Sequence, residues 1–149
     1  AKVPTVGVCF GHQMIARAIG GEVAKSDCGW GIGVKPVPLA GEHWWMRPGK
    51  GNVAMVVSHQ DQVLTLPPDA ELVGGYPHCP FAVYTVGDHM LCMQAHPEYP
   101  PAYGRALADR RADRIPAAVL DDATPTFDHQ TDSPLLAQWI INFLTRKGR

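Results

Sequence analysis

The stretch VPTVGVCFGHQMIARAIGG, residues 3–21, constrains the fold of this chain more than any other. Val3, Thr5, Val6 and Val8 make a short apolar, β-branched run that reads as a buried strand. Met14, Ile15, Ala18 and Ile19 recur at helical spacing, and Gly20-Gly21 stops the helix. Cys9 stands at the junction, between Gly7 and Gly11. A strand that turns at once into a helix is strained and crowded, and glycines at both flanks are expected to let the backbone approach closely. The apex side chain then projects past the sheet edge at a helix N-terminus, where the dipole favours an anion. A free thiol has a pKa of about 8.5, so the helix end and a nearby imidazole are expected to raise the thiolate fraction. The Phe10 N–H is placed to donate to a developing oxyanion. The competing reading of Cys9 is a small buried hydrophobe, the common fate of cysteine, and its partners decide between the two.

Among the seven histidines, His96 has the best position. It follows the strand-like run Met90–Gln94 and precedes Pro97-Glu98. Residues just past strand C-termini gather in one crevice of a parallel sheet, so Cys9 and His96 are expected together. Pro97 biases His96 towards an extended backbone. Glu98 is close enough to hold one imidazole nitrogen while the other faces Cys9, the order of nucleophile, base and orienting group in a triad. The competing reading of His96 and Glu98 is an ordinary surface loop.

Alternating strands and helices with apolar strands give an α/β class. Glu22–Ala24 reads as a short strand. Val34–Leu39 and Asn52–Val57 read as strands able to pair, joined by an exposed loop that carries Trp44-Trp45. SHQDQVLTLPPDAE reads as a polar loop and a Pro-Pro turn. Phe81–Val86 and Met90–Gln94 form a hairpin around Gly87-Asp88. A helix starts near Pro101, residues 117–131 read as an acidic linker, and Ser133 with Pro134 caps a last amphipathic helix. Trp44-Trp45 is expected to cap the crevice or meet a partner. Arg105, Arg110, Arg111 and Arg114 read as a solvated helix face, and His12 as structural support.

The 149 residues suffice for one domain with a core, and 46% hydrophobic against 18% charged residues describes a folded chain. A net charge of −1 disfavours nucleic acid or an anionic membrane as partner. No apolar run reaches the ~20 residues of a membrane span. Cys9, Cys28, Cys79 and Cys92 form no C-x-x-C pair, so neither a metal nor a disulfide framework is expected. The expected location is cytoplasmic, with no cofactor.

GVCFGHQ with the later AHPE resembles the class I (triad) glutamine amidotransferases, and VSHQDQV resembles a segment of the glutaminase part of GMP synthase. The resemblance implies a three-layer, mostly parallel, flavodoxin-like sheet with a nucleophile elbow. It implies hydrolysis of glutamine to glutamate and ammonia: Cys9 attacks, His96 protonates the leaving ammonia, Glu98 holds His96, and Phe10 N–H serves the oxyanion. By the same resemblance Gln13 and the backbone around Ser58, His59 and Gln60 hold the amino-acid head group. For Gln13 helix-surface polarity is the alternative. The His59 ring reads as a loop brace with Asp61.

The family places strand–helix units and its second oxyanion donor before the elbow strand. The chain is therefore expected to be the C-terminal portion of a longer domain, weakly active or inactive alone, and prone to self-association through an exposed sheet edge. No phosphate loop or synthetase motif is present, so ammonia transfer would require a separate synthetase subunit. The alternatives are a γ-glutamyl hydrolase, a cysteine hydrolase of the dienelactone type, or a non-catalytic remnant or binding module. The dienelactone order of nucleophile, acid and histidine is disfavoured here because Glu98 follows His96.

Overall fold

In the computed structural model, which describes residues 2–147, strand β1 (Thr5–Val8) turns through Cys9 into helix α1 (Phe10–Ala18). Cys9 takes φ 49° and ψ −101°, a left-handed φ that costs a residue with a side chain about 1–3 kcal/mol. The two flanking glycines play unequal parts. A Cβ on Gly7 would stand 2.7 Å from Ile15 Cδ1 and 2.8 Å from the Gly11 backbone. A Cβ on Gly11 would meet nothing within 4 Å. The expectation that both glycines relieve crowding is corrected: Gly7 supplies the missing side chain, and Gly11 is the backbone that comes close.

The chain continues through β2 (Glu22–Lys25), β3 (Gly31–Pro38), β4 (Asn52–His59), β5 (Asp61–Thr65), β6 (Ala70–Tyr76), β7 (Cys79–Val86) and β8 (Met90–Met93). Helices α2 (Pro101–Arg110) and α3 (Ala117–Ala123), a 3₁₀ turn (Thr124–Asp128) and α4 (Ser133–Thr145) follow. The larger sheet has the order β1-β8-β7-β6, and β2–β5 and β3–β4 form two further pairs. β1 and β8 run parallel, with Val8 opposite Met93. The other described pairs are antiparallel; β6–β7 and β7–β8 are joined by turns too short for a crossover. β1 lies at the edge of its sheet among the described residues. An isolated bridge between Val56 and His96 joins β4 to the segment after β8.

Side chains alternate between two faces, as strand geometry requires. Val53, Met55, Val57, Val83, Leu91 and Met93 face one core with Leu136, Trp139 and Phe143 of α4. On the other face, Ile32, Val34 and Val56 meet Ala108, Ile115, Ala123 and Phe127 around α2, α3 and the 3₁₀ turn. Ala16 of α1 packs with Val63, Tyr84 and Cys92 in a third cluster. Helices therefore cover both faces, the layered α/β arrangement expected, while the expectation of mostly parallel strands is corrected among the described residues, where β1–β8 is the parallel pair and the other pairs are antiparallel.

Four local readings are corrected. The polar loop after Ser58 contains β5, which pairs with β2. The acidic linker contains α3 and the 3₁₀ turn, because Leu120, Ala123 and Phe127 share a face over β3–β4. Asp132 rather than Ser133 precedes α4 as its cap residue and makes no side-chain cap bond. Its carboxylate instead accepts the Ala54 N–H at 2.8 Å and pairs with Lys50 at 2.6 Å. Trp44-Trp45 belongs to the α4 face: Trp45 is buried edge-on against Trp139, and Trp44 stacks on Phe143.

Candidate active site

The parallel, in-register pairing of β1 with β8 brings the elbow and the segment after β8 to one end of the sheet. Cys9 N–H donates to the Met93 carbonyl at 2.8 Å, which sets Cys9 beside Gln94. Gln94 is 1% exposed. Its Nε2 donates to Cys9 Sγ at 3.6 Å, and its Oε1 accepts Gln13 Nε2 at 3.0 Å. Gln13 Nε2 also donates to the Asp61 carbonyl at 2.7 Å. The motif glutamine thus acts through a second, buried glutamine that braces the sulfur.

His96 is fixed from three directions. Its N–H donates to the Val56 carbonyl at 2.8 Å. Its Nδ1 lies 2.7 Å from Glu98 Oε1; a carboxylate acceptor there makes Nδ1 the protonated nitrogen and leaves Nε2 to exchange a proton. The Tyr99 ring stacks on the imidazole with centroids 3.9 Å apart and planes 1° from parallel.

Burial pushes the Cys9 thiol above its ordinary pKa, and the Glu98 carboxylate adds to this. The Phe10 N–H, the Gln94 amide and the Arg111 guanidinium pull in the opposite direction without reversing it. The expectation of a lowered pKa is corrected. The resting sulfur is a thiol, so attack requires a base to take its proton as the bond forms. Phe10 presents its N–H to the sulfur while its side chain is 72% exposed.

The remaining sequence candidates fall in two groups. His12 is fully buried; its Nε2 donates to the Phe81 carbonyl at 2.8 Å, and burial lowers its pKa to about 4. It is structural support. His59 is buried as well, braced by Nδ1 on the Asp61 carbonyl at 3.1 Å, and burial lowers its pKa to about 4. Gln60 gives its carbonyl to the Ser26 N–H at 2.9 Å. Ser58 Oγ accepts Arg111 Nη1 at 3.0 Å, which removes Arg111 from the solvated helix face assigned to it. Gln94, Tyr99 and Arg111 are site residues that motif reading missed; the polar Gln94 at the end of an apolar strand was the available signal.

A cleft of about 410 Å³ opens beside the elbow, lined by Phe10, Gln13, Met14, Arg17, Val23 and Asp61. A larger cavity of about 620 Å³ lies in the 41–51 loop, and neither space is lined by Cys9, His96 or Glu98. Among the described residues no three His, Cys, Asp or Glu side chains gather as a metal-binding group. No helix among them is long and apolar enough to cross a membrane.

Comparison with known proteins bears on the family of the chain. Gamma-glutamyl peptidase 3 of Arabidopsis thaliana is 36% identical over 104 residues, which cover 66% of this chain and 42% of the peptidase. A GMP synthase [glutamine-hydrolyzing] from Aeropyrum pernix is 29% identical over 118 residues, covering 71% of this chain and 21% of the synthase. The chain therefore spans less than half of either relative. A solved glutamine amido transferase from Methylobacillus flagellatus superposes with a TM-score of 0.75 at 20% identity, over 99% of this chain and 64% of that one. The family model for glutamine amidotransferase class-I matches residues 1–108, from the elbow strand past His96 and Glu98. This chain belongs to the class-I glutamine amidotransferase family.

Proposed function

We propose that this chain hydrolyses a γ-glutamyl amide bond, with glutamine the simplest substrate, through a thioester on Cys9. One observation carries the reading. A strained cysteine at the end of β1 shares its sheet end, through Met93 and Gln94, with a histidine whose Nδ1 is held by Glu98. That order of nucleophile, base and orienting group suits acyl transfer.

In this reading the glutamyl part enters the cleft beside the elbow, near Gln13 and Asp61. Cys9 sulfur attacks the side-chain carbonyl carbon while His96 Nε2 takes the thiol proton. Phe10 N–H donates to the developing oxyanion. The C–N bond breaks, and His96 delivers the proton to the leaving nitrogen. Water, deprotonated by His96, then cleaves the thioester and releases the glutamyl carboxylate. Gln94 and Tyr99 are positioning residues, one for the sulfur and one for the imidazole plane. Where ammonia is the product, a separate synthetase subunit would receive it.

The test is glutamate release from glutamine and from γ-glutamyl amides by the full-length protein and its Cys9→Ala variant. Release that depends on Cys9 is expected. Release that survives Cys9→Ala would assign the chemistry to another nucleophile, and none from the unaltered protein would favour a non-catalytic module.

A further inference from the structure

Two imidazoles outside the catalytic group meet between the sheets. His59 ends β4, and His78 lies in the turn between β6 and β7. Their rings meet edge-on, with centroids 6.0 Å apart and planes at 76°. In each ring Nε2 is buried and has no hydrogen-bond partner. The two nitrogens converge on Gly31, the first residue of β3. A Cβ there would stand 2.8 Å from His59 Nε2 and 3.1 Å from His78 Nε2. The absent side chain leaves both nitrogens facing one space.

The other nitrogen of each ring is already engaged. His59 Nδ1 lies 3.1 Å from the Asp61 carbonyl. The Gly29 backbone bonds the His78 ring in the sense that raises its pKa, which is a carbonyl accepting from Nδ1. A carbonyl can only accept, so each Nδ1 carries the proton and each Nε2 is a bare lone pair. Burial lowers the pKa of both rings, that of His59 to about 4, and keeps them neutral at neutral pH. A neutral imidazole with one N–H on a backbone carbonyl is the form in which histidine ligates metals, because that bond fixes the tautomer and the ring plane. Two lone pairs cannot satisfy each other, and buried polar groups without partners are costly. One electron-pair acceptor shared by both nitrogens removes that cost. Gln62 Oε1 is a further buried atom without a partner beside the pair, its Nε2 donating to the His78 carbonyl at 3.0 Å. Of the nearby charges, Asp61 favours a cation at His59 and Lys35 opposes one at His78.

We infer that His59 and His78 are the two protein ligands of a transition-metal ion of the zinc–copper group, which imidazole nitrogen suits, with water completing its coordination. The ion would tie the β3–β4 pair to the sheet that contains β6 and β7. The site is separate from Cys9, His96 and Glu98, and it stands whether or not the chain hydrolyses γ-glutamyl amides.

The experiment uses the full-length protein with its accessible thiols alkylated, so that Cys9 and Cys28 take no metal, and stripped with a chelator. Zn²⁺, and Cu⁺ under reducing conditions, are each titrated in competition with a chromophoric chelator, and Tm is measured with and without the ion. One equivalent of at least one of the two ions should bind and raise Tm, since a ligand of the folded state stabilises it. His78→Phe keeps a ring against Tyr76 but has no lone pair. It should lose more than about 100-fold in affinity, beyond the usual loss for an outer-shell partner, and the rise in Tm should vanish. Binding that persists unchanged in His78→Phe, or that leaves Tm unmoved in the unaltered protein, overturns the inference. So does binding of neither ion, which would give the space to a water donating to both nitrogens. If His78→Phe fails to fold, His78→Gln takes its place with the same expected loss.

Discussion

The Gln94 side-chain amide donates to Cys9 Sγ at 3.6 Å and accepts from Gln13 at 3.0 Å. A donor aimed at sulfur favours the thiolate, in opposition to the burial that disfavours it. Gln94→Leu removes that donor and leaves Gln13 without its acceptor. The pH midpoint of Cys9 alkylation by iodoacetamide should move upward, and the rate at neutral pH should fall by about tenfold for a shift of one unit. An unchanged midpoint would reduce Gln94 to a packing role.

The glycines flanking the elbow should respond oppositely to alanine. Gly7→Ala drives a methyl group into Ile15 and the Gly11 backbone, which should destabilise the fold by about 2 kcal/mol or more. Gly11→Ala places its methyl group in open space on a helix and should be neutral or stabilising by roughly 0.5–1 kcal/mol. Urea denaturation of the two variants measures the contrast, and equal destabilisation would contradict it.

Two buried histidines set the acid limit of stability. His12 and His59 each have a folded pKa near 4, depressed chiefly by burial, against about 6.5 in an unfolded chain. Between those values the unfolded state binds more protons, so stability falls as pH drops through 6.5 and is fully lost to this source below about 4. In that window, in metal-free buffer, His12 and His59 should add about two protons to the slope of unfolding free energy with pH, and His78, which burial also lowers, acts in the same direction. His59→Asn should reduce the slope by about one proton. An unchanged slope would mean that His59 titrates normally in the fold.

The loop carrying Trp44 and Trp45 is held by Asn142 of α4, which is 5% exposed and donates to the carbonyls of Trp45 and Arg47 at 3.1 and 3.0 Å. Asn142→Ala strands two carbonyls and should cost about 2–3 kcal/mol, seen as a lower Tm. The kinetics of amide hydrolysis should be unaltered, since this loop packs on the face of the sheet opposite α1.

What the residues disclosed before the structure, and what they did not, follows from the range of the interactions involved. The β1–α1 elbow was legible because its pattern is local: an apolar run, a cysteine between glycines, a helical period and a stop. The β7–β8 hairpin and α4 were legible for the same reason. β5 was hidden because five residues, of which Gln62 and Val63 are the buried ones, carry no alternation, and only the distant β2 defines it as a strand. β6 was hidden because Gly74-Gly75 interrupt its alternation, and β7 pairs alongside it with two register shifts. At the site, Cys9, His96 and Glu98 stood out because their residue types are chemical. Arg111 did not, because its tether is Ser58, far away in sequence, and its neighbours in sequence are charges that look alike.

The proposed chemistry passes through a glutamyl thioester on Cys9, and trapping it is the direct measurement. The full-length protein is mixed with a γ-glutamyl amide, quenched in acid within the first turnover, digested and analysed by mass spectrometry. A glutamyl group is expected on the peptide containing Cys9, removable by hydroxylamine and absent from the Cys9→Ala protein. Turnover with the glutamyl group on another residue, or with no acyl intermediate in single-turnover experiments that resolve the chemical step, would contradict it.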